Sequence, residues 1–150
     1  MKVLCALAML VAALLVANLN AGDTAKGGQF DAAKLVGTWK YVSGVKDGEK
    51  MDADRFKDQE LVIAKDKITL KAPDATFVMK YELDSKKTPV TIKLEITEGP
   101  FGEGMKANGI IELNGDDLKF CYAPMGGEGP KAFEAKQGSG FHFFVLKRGK

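Results

Sequence analysis

Two stretches of strict two-residue alternation constrain this chain more than anything else in it. Phe77, Met79, Tyr81 and Leu83 share one face against Val78, Lys80, Glu82 and Asp84; Val90, Ile92, Leu94 and Ile96 then oppose Thr91, Lys93, Glu95 and Thr97. Side chains on a strand alternate between its faces, so each stretch reads as a strand with one buried and one wet face, as in an antiparallel sheet. Gly37 to Val45, Glu60 to Ala64, Lys67 to Lys71, Gly109 to Leu113, Asp117 to Tyr122 and Phe141 to Lys147 read as further strands, giving about eight in all. No helical period lasts more than a couple of turns in this region, and no internal repeat is evident.

The turns punctuate the same plan. Asp31 caps a short helical turn, Ala32 to Val36, that delivers the chain to Gly37. Asp47-Gly48 turns the first strand, and Asp52 to Lys57 reads as a short capped helical segment. Asn114-Gly115 is the strongest hairpin signal, because both residues suit the left-handed conformations of a type I′ turn. Gly99-Pro100-Phe101-Gly102 breaks the chain between two strands, and Ala123 to Gly140 is a long Gly- and Pro-rich connection with a short edge segment expected at Lys131 to Glu134. An open meander of this length would leave two raw sheet edges, whereas closing the first strand onto the last removes both. The fold class expected is all-β, a small antiparallel barrel with a short N-terminal helical turn, with a two-sheet sandwich as the alternative.

Lys2, the apolar run Val3 to Ala17 and the polar, small residues Asn18-Leu19-Asn20-Ala21 have the layout of an export signal. A retained membrane anchor is the weaker reading, because the run falls short of the roughly 20 apolar residues that span a bilayer. The expected organisation is therefore a signal peptide over 1–21, a flexible leader over 22–29 and one domain over 30–150, exported to the periplasm or secreted. Removing 1–21 takes away Lys2 and no acidic residue, so the formal net charge falls from +2 to +1. Lysines and carboxylates are interspersed, which argues against a nucleic-acid partner. Cys121 is the one cysteine left after cleavage, so no internal disulfide can form. Its apolar strand points to a buried thiol rather than one that pairs with another chain, and a monomer without a membrane span is expected.

A resemblance adds to this reading. Leu35-Val36-Gly37-Thr38-Trp39-Lys40, Thr97-Glu98-Gly99-Pro100, Leu118-Lys119-Phe120-Cys121-Tyr122-Ala123-Pro124, Gly138-Ser139-Gly140 and Val145-Leu146-Lys147-Arg148 occur in the order seen in one family. In these segments the chain resembles a lipocalin-like family of uncharacterised exported proteins expanded in planctomycete bacteria. The resemblance covers nearly all of the chain beyond the signal. It implies a lipocalin-like barrel in which Gly37 and Trp39 form the signature of the closed end and Arg148, or failing that Lys147, packs across the indole ring. Members of the family carry a histidine directly after Gly-Ser-Gly; here Phe141 stands there and His142 follows, a shift that moves the imidazole to the other face of a strand.

Function is less constrained. Tyr41, Phe77, Met79, Tyr81, Leu94, Phe120, Tyr122 and Phe143 are expected to face inward, combining aromatic walls, a pliable thioether and a few hydroxyls suited to a small apolar or amphipathic ligand. The opposing possibility is that these side chains fill the interior, since an eight-stranded barrel is only just wide enough for side chains or one small ligand. The long connection from Ala123 to Gly140 offers a second functional reading, a module that presents a loop to an envelope protein or wall polymer; the simpler one is a flexible crossover.

An enzyme is not expected. The one histidine, His142, stands among Phe141, Phe143 and Phe144, and Ser139 lacks the spacing of a nucleophile elbow. Gly126-Gly127-Glu128-Gly129 lacks the Lys-Ser or Lys-Thr pair of a phosphate-binding loop. Asp116 with Asp117, and Asp52 with Asp54, are too few ligands for calcium, and one histidine with one cysteine is too few for zinc. No cofactor or metal is expected.

Overall fold

The first long strand, β1 (Gly37–Lys46), is bordered on one side by β3 (Glu60–Ile63) and on the other by the last strand, β9 (His142–Arg148). That double pairing closes the sheet. The computed structural model describes residues 30–150, so the signal segment expected over 1–21 and the leader expected over 22–29 lie outside the described residues. From β3 the sheet continues through β4 (Lys67–Ala72), β5 (Ala75–Asp84), β6 (Val90–Glu98), β7 (Lys106–Asn114) and β8 (Asp117–Ala123) to β9, every pair antiparallel. The two-residue β2 (Glu49–Lys50) folds back on β1 outside this ring of eight. The architecture is a closed barrel rather than two packed sheets.

The hairpins differ from expectation in one detail. Asp47 and Gly48 both have positive φ, 48° and 83°, so the two-residue turn of I′ pattern sits between β1 and β2. Between β7 and β8 the closing pair is Asn114 with Asp117, and Gly115 alone has positive φ, 60°. Gly115 therefore takes the first central position, which is the slot that a II′ loop reserves for glycine. The helical pieces are single 3-10 turns, Ala32–Leu35, Ala53–Arg55 and Pro124–Gly126. The Asp31 carboxylate accepts a hydrogen bond from the Ala33 amide at the start of the first.

The two ends of the barrel are built differently. At the end where β1 begins, Leu35, Trp39, Ile63, Ile68, Ile92, Leu118 and Leu146 are essentially sealed from solvent and form a packed core. Trp39 donates from Nε1 to the Leu35 carbonyl at 2.8 Å, and the Arg148 guanidinium lies 4.3 Å from the centre of its ring. Arg148 also donates to the carbonyls of Val36 and Lys34 at 3.2 and 2.6 Å, which ties the last strand to the segment before the first. Gly37 is needed there twice over: its φ is +145°, and a Cβ on it would lie 2.9 Å from the Arg148 Nη1. This is the physical content of a glycine two residues before the tryptophan.

The segment from Pro124 to Gly140 is not a free loop. Ile110, Cys121 and Ala123 point out of the barrel yet are buried, because this segment folds down over the outer face of β7, β8 and β9. Phe133 packs on Phe143 with ring centres 6.2 Å apart, Ala135 and Pro130 are buried, and the Cys121 sulfur lies 3.5 Å from the Glu134 carbonyl. Asn108 donates to the Gly127 carbonyl at 2.9 Å, and the Asp47 carboxylate accepts from the Gly140 amide at 2.8 Å, fastening both ends of the strap. The edge strand expected over Lys131 to Glu134 does not form; Lys131, Ala132 and Phe133 make bends, and Phe133 packs on the outer wall instead of joining a ladder. Burial pushes the Cys121 thiol up to about 11, which keeps it protonated and unreactive.

Candidate functional site

Beyond the packed half, the barrel opens into a cavity of about 380 Å³ that reaches solvent at the end opposite Trp39. That volume lies at the small end of the range for ligand sites. Its walls follow from strand parity. β4, β5 and β6 contribute Leu70, Phe77, Met79, Leu94 and Ile96, and β3 adds Leu61 from below. Phe120 and Tyr122 of β8 and Phe144 and His142 of β9 form the facing aromatic wall, with Tyr41 of β1 beside Phe144, ring centres 5.2 Å apart and nearly perpendicular. Met51, Gln59, Phe101, Met105, Pro124 and Met125 line the mouth.

Of the residues expected to face inward, Tyr41, Phe77, Met79, Leu94, Phe120 and Tyr122 line this cavity. Two do not. Tyr81 is on the inner face but lower down, where its hydroxyl donates to the Ala64 carbonyl at 2.7 Å and holds the β3–β4 turn. Phe143 faces outward under the strap, and its neighbours Phe144 and His142 take the inner positions. Phe143 and Phe144 are both large and aromatic, so composition cannot choose between them. The parity was nonetheless in the sequence: if Arg148 lies across Trp39 inside the barrel, then Leu146, Phe144 and His142 must share its side.

One polar row was not foreseen. Two β-bulges interrupt the ladder, and the one at Val42 matters here, because Tyr41 pairs with Leu146 and Ser43 with Val145. The extra residue shifts the parity of the rest of β1, so Gly44 and Lys46 turn inward where Ser43 and Val45 would have. Gly44 leaves room for the Phe144 ring, which a Cβ would approach to 2.7 Å. Lys46 thereby reaches the cavity mouth, directly across the β1–β9 ladder from His142, which in turn pairs with Tyr122 across the β8–β9 ladder. The Tyr122 hydroxyl and the His142 Nδ1 are 3.2 Å apart.

Burial governs the ionisation of this row. It raises the Tyr41 phenol far above the ordinary range, with Tyr122 adding to the effect, and it pushes Tyr122 up to about 12. Burial also pushes the His142 imidazole down to about 4; the Lys46 ammonium adds to that and Asp47 opposes it. His142 is therefore neutral at neutral pH. In the unfolded chain a histidine titrates near 6.5, so below that pH the unfolded state takes up a proton that the folded state refuses. The stabilising contribution of a neutral His142 is complete above about pH 6.5 and is lost as the pH falls towards about 4. Melting temperatures measured across that window should fall more steeply for the natural protein than for His142→Gln; parallel curves would contradict the assignment.

Among the described residues no group of three His, Cys, Asp or Glu side chains comes together to hold a metal ion, and no helix is long and apolar enough to cross a membrane. A second, shallower hollow of about 300 Å³ lies within the strap, beside Glu128, Lys131, Glu134, Ser139 and the adjoining Phe141. Ser139 donates to the Lys136 carbonyl and accepts from the Phe141 amide, so its hydroxyl is committed to the turn.

The fold and the cavity together define a class: a closed eight-stranded barrel, packed at one end and hollow at the other. Comparison of the chain with protein-family models, with curated proteins and with solved structures gives no match.

Proposed function

We propose that this chain is an exported, lipocalin-like binding protein that holds a small amphipathic molecule in the hollow half of its barrel. The observation that carries the reading is the solvent-connected cavity of about 380 Å³, walled by aliphatic, thioether and aromatic side chains and bearing a short polar row at its mouth. Apolar walls supply affinity by burying ligand surface, at roughly 25 cal/mol per Å², while a few fixed polar groups orient the molecule. Trp39, Ile63, Ile92, Leu118 and Leu146 pack the sealed end without lining the cavity, while Leu61, Leu94, Phe120 and Phe144 belong to both the core and the cavity wall. The export signal read at the N-terminus supports a location in the periplasm or outside the cell, and the resemblance described above supports the lipocalin-like barrel.

The reading is of a binder and not of an enzyme, with no cofactor assigned. A neutral apolar fluorescent probe, N-phenyl-1-naphthylamine, is expected to brighten on entering the cavity. Ala107 faces Leu94 across the β6–β7 ladder and lines the cavity, so Ala107→Trp fills space that the probe needs. Probe binding should weaken at least about tenfold in that variant, equivalent to about 1.4 kcal/mol. Equal titrations for the two proteins, or no small molecule found by native mass spectrometry on protein from its own host, would count against the chamber.

A further inference from the structure

The mouth of the cavity is polarised across the barrel. On the β4–β6 side the lining is apolar, whereas the polar groups of the strands stand on the other side, Tyr41 and Lys46 on β1, His142 on β9, Tyr122 on β8 and Lys106 at the start of β7, with the Gln59 amide just before β3. No aspartate or glutamate lines the cavity, although the chain as a whole carries 20 acidic residues against 22 Lys and Arg. Some lysines on the barrel surface, Lys40, Lys119 and Lys147, have carboxylate partners within 4 Å, whereas among the described residues Lys67, Lys71, Lys80 and Lys93 are in no ion pair. Among the described residues Lys46 and Lys106 have no such partner either.

The Tyr122–His142 pair strengthens this asymmetry. If the phenol donates to Nδ1, the imidazole keeps an Nε2–H; if Nδ1–H donates to the phenol, the phenol keeps its O–H. Either tautomer leaves one donor over. A ligand group that accepts hydrogen bonds and carries negative charge satisfies both this donor and the Lys46 ammonium, whose positions are locked to one level by the ladder pairs Lys46 with His142 and His142 with Tyr122. An alcohol would use the donor and leave the charge unanswered. An amine would face like charge.

We infer that the cavity takes a monocarboxylic acid, with the carboxylate on the Lys46–His142–Tyr122 row and an aliphatic or aromatic body against the Leu70, Met79 and Leu94 wall. This rests on the proposed binding function. It goes further in naming the chemical class and the residues that select it.

The test is a matched series of equal chain length, decanoate, decanol and decylammonium, titrated at neutral pH and low ionic strength by displacement of N-phenyl-1-naphthylamine from the full chain. Decanoate should bind about tenfold or more tighter than either of the others, and the advantage should shrink with added salt because the mouth is partly solvated. Lys46→Met should cut the decanoate-to-decanol ratio to near one. Lys131→Met, on the strap, should leave that ratio where it was. Decanol or decylammonium binding as tightly as decanoate overturns the inference, as does a Lys46→Met protein that keeps the full ratio; in both cases the chamber still stands, because the series binds. Failure of the probe and of all three compounds to enter would remove the chamber itself, and the inference with it.

Discussion

Replacing Trp39 by alanine should destabilise the domain by about 3–5 kcal/mol, the range for truncating a large aromatic in a core. The side chain is fully buried, so its removal leaves a void at the centre of the packed end, among Leu35, Leu118 and Leu146. It also orphans two partners. The Leu35 carbonyl loses its indole donor, and Arg148 loses the ring it covers, a contact worth roughly 0.5–2 kcal/mol at most in its own right. The melting temperature should fall by on the order of 10 °C or more. Trp39 is the chain's one tryptophan, so unfolding has to be followed by circular dichroism and not by indole fluorescence. An unchanged melting temperature would remove Trp39 from the role of plug.

The second large effect is expected at a residue with no side chain. Gly109 in β7 is buried opposite Tyr122, and a Cβ placed on it would stand 2.5 Å from the Cys121 carbonyl oxygen and 2.8 Å from the Tyr122 Cβ. The obstacles are backbone and a first side-chain carbon, which cannot swing away. Gly109→Val must therefore part β7 from β8 or tilt one of them, at a cost typical of overpacking, about 1–3 kcal/mol. The consequence reaches the cavity, because Tyr122 is the strand partner that would be displaced. Loss of stability together with weaker probe binding is the expected pair of results, read by thermal melting and by titration. A Gly109→Val protein as stable as the natural one would mean that the two strands tolerate a wider spacing here.

What the sequence disclosed and what it hid divide along physical lines. β5 and β6 were legible because alternation over many residues is hard to produce by chance and fixes both element and face. Closure followed from the need to bury edges, and the glycine before Trp39 carried the signature of the sealed end. Local irregularities were not legible. Nothing in Tyr41-Val42-Ser43 announces the bulge that turns Lys46 inward, because a bulge depends on how two distant strands meet and not on the residues alone. Phe143 was misassigned because consecutive aromatics erase the alternation that marks a face. The strap from Pro124 to Gly140 reads as a loop by composition, yet Ile110 and Cys121, apolar on the outer side of their strands, were the trace of something covering them.

Most of the volume of the cavity was hidden for a different reason. Whether an inner face is packed or hollow is settled by how the barrel's two halves are filled, and a list of inward residues contains no such information. Met51, Phe101 and Met125 come from turns and loops whose reach into the mouth no periodicity describes. Parity could have supplied Phe144 and His142 once Arg148 was assigned to Trp39.

Arg148 reaches back 112 and 114 positions along the chain to the carbonyls of Val36 and Lys34. During synthesis, β1 therefore keeps one edge bare until β9 has been made. A chain clipped before His142 would keep seven strands of the ring with two sticky edges and an uncovered indole, a species fit for aggregation or proteolysis. The clasp at the sealed end thus makes the ring all-or-none: the free edge of β1 and the indole of Trp39 are covered together, and only when β9 is present.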